Sequence, residues 1–195
     1  MFQQLVETYA PVEYRPLVRF TRLDVVLSLL LGAAGAAVSC YGSGQLSPAL
    51  YEDGSGNIWF DADYSGLLAA VSDHDSPVQA RTSRHPLLVI LVFPVFAVLR
   101  TFGTDPVHDQ RLILASCAFL AVGFLFLSLR GLGLPRPVAT LFAGVFLASA
   151  TGMHWFVVFE TYPLAAVTMS VMLMVLTSAG PDRRWLWVIA PAATL

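Results

Sequence analysis

Two carboxylates, Asp61 and Asp63, stand two residues apart in the segment "IWFDADYSGLLAAVSDHD", directly after the bulky pair Trp59 and Phe60. Leu67, Leu68 and Val71 follow at helical spacing, which predicts a short helix opening near Asp61. Two roles fit that position. Asp61 can cap the helix while Asp63 sits in its first turn, where the helix dipole favours negative charge. Alternatively, one carboxylate is a general base and the other orients a substrate or holds a divalent cation. The spacing serves both roles equally.

A second constellation is "QARTSRHPL". Pro86 suits the first position of a helix and biases His85 toward extended backbone. Arg81, Arg84 and His85 then gather at a helix N-terminus, where free N–H groups attract anions and arginine binds phosphate bidentately. Pairing with Asp73 or Asp75, or anchorage in lipid headgroups, would use the same arginines. The third feature is Glu160, in "HWFVVFETYPLAA" beside Tyr162 and Pro163. A carboxylate at a membrane boundary is costly unless it faces water or a partner, so it is a functional candidate or a solvated helix end. His154 reads as a packing residue. The Asp73–Asp75 stretch reads as a solvated loop, so no metal site is expected there.

The elements that must carry these residues are apolar. Of 195 residues, 56% are hydrophobic and 12% charged, about half the charge of an ordinary soluble domain. All eleven positive charges are arginine, and a net charge of −2 offers no basic field for nucleic acid. A membrane helix needs about 20 mostly apolar residues. Val25–Tyr41, Leu112–Leu129, Val138–Phe159 and Pro163–Ala179 meet that need, and Trp185–Leu195 begins a further run. Pro86–Phe102 is long enough too, but Pro94 lies at its middle and removes a helical hydrogen bond.

Cytoplasmic loops carry the positive excess, so arginine placement can arbitrate. If Pro86–Phe102 does not cross, seven arginines (15, 19, 22, 130, 136, 183, 184) lie inside and four (81, 84, 100, 111) outside. If it crosses, five lie inside and six outside. The first topology is expected. It leaves residues 42–111 as one large external loop with eight carboxylates, in which 86–102 is a juxtamembrane or re-entrant helix. The expected architecture is thus an all-α integral membrane protein: a cytoplasmic stub over 1–24, then a multi-pass helical bundle over 25–195.

A cleaved signal would also place arginines before an apolar run, here ending "GAAGAAVSC". The 24 residues ahead of that run are long for such a leader, and "AVSC" lacks the usual leucine, so a retained span is the reading. Cys40 and Cys117, each within an apolar stretch and without metal-type spacing, read as small core residues with no disulfide.

The order of "WFDAD" after the first span, then "RTSRHPL", then "FETYPL" after the turn "LRGLGLPRP", resembles bacterial GT-C membrane glycosyltransferases. More broadly it is similar to protein O-mannosyltransferases and lipid A aminoarabinose transferases, over essentially residues 24–179. That resemblance implies a bacterial inner-membrane enzyme with a cytoplasmic N-terminus and a polyprenyl-phosphate sugar as donor. By it, Asp61 is the catalytic base and Asp63 its partner. Arg81, Arg84 and His85 meet the lipid phosphate, while Glu160 and Tyr162 line the acceptor or donor cavity. Many relatives have a D-E pair where this chain has D-A-D, which leaves open which carboxylate does the work. They also have seven or more spans, so the chain reads as the N-terminal part of a longer enzyme whose activity alone is in doubt. The rival class is a non-enzymatic multi-pass protein, a transporter or lipid-binding scaffold. A transporter would be expected to carry internal repeats and helices broken at the midplane, and no repeat is visible.

Overall fold

The computed structural model describes residues 20–46, 86–178 and 185 of the chain. Every regular element among the described residues is a helix: α1 (Arg22–Gly44), α2 (Pro86–Arg100), α3 (Pro106–Gly131), α4 (Arg136–Ala148), α5 (Ala150–Trp155) and α6 (Tyr162–Ser178). Of these, α1 and α3 are long and apolar enough to cross a membrane, and α2, α4 and α6 are shorter apolar helices.

The helix ends follow from capping chemistry. Thr21 and Asp24 form a reciprocal capping box, so α1 opens at Arg22, ahead of the expected start at Val25. Asp24 therefore belongs to the helix and not to the expected stub over 1–24. Asp105 caps α3, its carboxylate accepting from the Val107 and His108 N–H groups, with Pro106 at the first position. That cap carries the helix back from the expected Leu112 and takes residues 106–111 out of the expected loop.

One expected span is not continuous. The run Val138–Phe159 divides at Ser149, whose extended backbone (ψ 149°) ends α4. The Ser149 hydroxyl then accepts from the Gly152 N–H and opens the short α5. Non-helical backbone follows from Phe156 to Thr161. Apolar composition alone could not reveal this, because a serine cap inside an apolar run leaves the hydropathy almost unchanged. Pro94, by contrast, is accommodated inside α2.

Packing inverts the usual pattern of a soluble helix. Along α1 the buried residues are Asp24, Ser28, Gly32, Gly35, Ser39 and Ser43, while Leu23, Val25, Val26, Leu29 and Leu30 face outward. Small and polar residues at the interface with apolar residues outside is the arrangement lipid solvation favours. The small stripe lets α1 lie close against α3, antiparallel to it. The Ser28 hydroxyl donates to the Gly123 carbonyl at 3.0 Å, and Gly32 and Gly35 face Phe119 and Ala118. On its other faces α3 packs α4 through Val122, Phe126, Ala139 and Ala143, and runs alongside α6, where Ser128 donates to the Ser170 carbonyl at 3.2 Å. The cysteines divide: Cys117 is buried with Ala118, Ala121 and Phe156, whereas Cys40 is exposed, against the expectation that both are core residues.

The bundle's first end is tied by an ion cluster. The Asp24 carboxylate, fully buried, accepts from Arg130 Nε at 2.8 Å and Arg136 Nε at 2.9 Å, and from the Thr21 N–H at 2.8 Å. Arg130 also donates to the Leu134 carbonyl in the turn before α4. The starts of α1 and α4 and the close of α3 therefore share one end, and Gly44 and Pro106 lie at the other.

The α1–α3 contact makes a sharp prediction. A Cβ on Gly32 would stand 2.7 Å from the Phe119 carbonyl oxygen, whereas one on Gly44 would meet nothing within 4 Å. Gly32→Ala is expected to destabilise the solubilised chain by about 1–3 kcal/mol in thermal unfolding, the usual cost of overpacking. Gly44→Ala should leave the midpoint unchanged or slightly raised. Equal behaviour of the two variants would refute the close helix contact.

Candidate functional site

At the second end of the bundle, the turn from Phe156 to Thr161 is held from several sides. The Ser39 hydroxyl of α1 donates to the Phe156 carbonyl, and the Phe156 ring meets Phe146 of α4 edge to face at 6.0 Å. Phe159 meets Phe96 of α2 edge to face, also at 6.0 Å, and packs with Val92, Leu114 and Val158. A turn wedged between α1, α2, α3 and α4 is a rigid mount for whatever side chains it carries.

It carries Glu160. The side chain is buried, at 6% exposure, and its carboxylate lies 3.4 Å from the Thr161 N–H. Glu160 stands just ahead of α6, whose first bond runs from the Ala165 N–H to the Thr161 carbonyl, so the positive end of the helix dipole favours the carboxylate there. Tyr162, two residues on, is 52% exposed, and its ring lies against Trp155 with centroids 4.0 Å apart. The buried carboxylate and the aromatic pair, Tyr162 exposed and Trp155 half-buried, thus flank one bend. His154 sits in α5 with its ring edge-on to Trp155, in keeping with a packing role.

Two further polar side chains lie at this end, at the start of α3. Asp109 and Gln110 are fully buried. Among the described residues, neither Asp109 carboxyl oxygen has a hydrogen-bond partner, and neither does the Gln110 side-chain oxygen or nitrogen. Gln110 is one helical turn ahead of Leu114, and Asp109 one turn ahead of Ile113. Leu114 packs with Val158 and Phe159, and Ile113 packs against the same cluster. The pair therefore continues the face of α3 that meets the turn leading to Glu160. Buried polar groups are nearly always paired, so two adjacent unpaired ones call for an explanation.

Of the site residues expected from sequence, Glu160 and Tyr162 are placed here. Asp61, Asp63, Arg81, Arg84 and His85 lie outside the described residues. Asp109 and Gln110 were hidden by the assumption that α3 begins at Leu112. The pair Asp105–Pro106, an N-cap followed by proline at the first helical position, is the signal that would have brought them into the helix. Among the described residues no group of three His, Cys, Asp or Glu side chains could hold a metal ion. No family model, curated protein or solved structure matches the chain.

Proposed function

We propose that the chain forms a multi-pass membrane bundle of a glycosyltransferase that moves a sugar from a polyprenyl-phosphate donor to an acceptor hydroxyl at the external face. The observation that carries the reading is Glu160, the carboxylate of the third motif. It is buried at the bundle end opposite the Asp24–Arg130–Arg136 cluster, and the chain leaves α1 for the segment bearing the other two motifs at that same end. The inverted packing of α1 supports the membrane setting. The positive excess of cytoplasmic loops favours the arginine-rich end as the inner one, which makes the Glu160 end external. The buried ionisable groups lie at the two ends of the bundle, which favours chemistry at a face over passage through the midplane.

The reaction follows from the residue types. The acceptor hydroxyl attacks the anomeric carbon as Asp61 takes its proton. The new C–O bond forms while the bond to the lipid phosphate breaks, so a single displacement inverts the anomeric centre. Charge develops on the departing phosphate, where Arg81, Arg84 and His85 stabilise it. Asp63 orients the acceptor, and Glu160 with Tyr162 lines the cavity.

The test is donor binding by the chain in lipid nanodiscs. Each charge-assisted hydrogen bond is worth about 1.5–3 kcal/mol, so Arg81→Ala/Arg84→Ala should weaken binding of an undecaprenyl-phosphate hexose at least about tenfold. Unchanged affinity would return both arginines to headgroup anchoring and remove the donor site.

A further inference from the structure

We propose that Asp109 and Gln110 are the residues that read the sugar: hydrogen-bonding groups for neighbouring hydroxyls of the transferred glycosyl unit. The inference rests on the glycosyltransferase reading and extends it to two residues outside the three motifs.

Their burial and lack of partners carry the argument. A carboxyl group and a primary amide, side by side and both fully buried, hold four polar atoms without a hydrogen bond among the described residues. Such groups are expensive in an apolar bundle and are tolerated where a ligand completes them. The chemistry of the pair narrows the ligand. The carboxyl group offers two oxygens that can meet more than one hydroxyl, while the amide offers two N–H donors and an accepting oxygen. Together they complement a polyol, whose hydroxyls both donate and accept. A bare phosphate, rich in acceptors, would leave the accepting oxygens of both side chains unpaired. A divalent cation would want further oxygen ligands, and the described residues supply no group of three acidic or metal-binding side chains around it.

Position agrees. The pair lies on the α3 face that meets Val158 and Phe159, immediately before Glu160, and the half-buried Trp155 with the exposed Tyr162 flanks the same bend. Buried polar groups that bind hydroxyls give a site its discrimination, because a ligand lacking the hydroxyls leaves them unpaired.

The experiment compares two lipids, an undecaprenyl-phosphate hexose and undecaprenyl phosphate without sugar, bound to the full chain in nanodiscs. The wild type should prefer the glycosylated lipid. Asp109→Asn and Gln110→Leu should each weaken that lipid by about tenfold, the scale of one lost hydrogen bond to a buried partner, and leave the bare lipid phosphate unchanged. Thermal unfolding without ligand supplies the second readout. Gln110→Leu should raise the midpoint, since it removes unpaired buried polar atoms, whereas a residue serving the fold alone would lower it on replacement. Equal losses for both lipids, no loss for either, or a lowered midpoint in Gln110→Leu would overturn the proposal while the glycosyltransferase reading stands. A wild type that binds neither lipid would remove that reading itself, and this inference with it.

Discussion

Asp61→Asn should cut sugar transfer by about 10²–10⁴, the usual contribution of a general base, while leaving the fold intact. Asparagine keeps the size of aspartate and caps helices about as well, so any local role at the opening of the short helix read from the sequence survives. What it cannot do is take a proton from the attacking hydroxyl. Asp63→Asn should cost less if that carboxylate only orients the acceptor. The measurement is turnover with an undecaprenyl-phosphate hexose, normalised to folded protein in the membrane. Near-wild-type turnover in Asp61→Asn would leave the residue a helix cap and nothing more. Loss confined to Asp63→Asn would exchange the two roles, a real alternative because the D-A-D spacing does not distinguish them.

How much of this was legible in the sequence depends on which force sets each feature. Burial and lipid solvation act on composition, so the apolar segments carrying α1, α3 and α6 could be read directly. Capping acts through single residues and was harder to see. Asp105 with Pro106 moved the start of α3 and brought Asp109 and Gln110 inside. Ser149 divided a run that hydropathy presents as one span. Glu160 stands out as a candidate because a carboxylate at the end of an apolar run is conspicuous. Asp24 is inconspicuous for the opposite reason: it stands at the edge of an arginine-rich stub, and only the chain's return through Arg130 and Arg136 buries it. Pairing across more than a hundred residues leaves no local trace in composition or periodicity.

That buried cluster sets the largest expected change in stability. Asp24 is fully buried and accepts from both arginines, whereas Arg130 has a side chain only 9% exposed and Arg136 one 36% exposed. Removing one member of a buried pair strands the other charge in a poor solvent, at a cost of about 3–5 kcal/mol. Asp24→Ala should therefore sharply lower the midpoint of thermal unfolding in detergent. Arg136→Ala should do little, because a partly exposed pair contributes about 0–1 kcal/mol. Replacing both buried partners together, Asp24→Leu with Arg130→Met, should recover most of the loss, since well-packed apolar residues often match a buried ion pair. The cluster sits at the far end of α1 from Ser39, which bonds the turn bearing Glu160. Transfer per folded molecule should for that reason stay near wild type in Asp24→Ala, the inverse of Asp61→Asn. A destabilisation as large in Arg136→Ala as in Asp24→Ala, or a double replacement as unstable as the single one, would show that the carboxylate does not hold this end through Arg130.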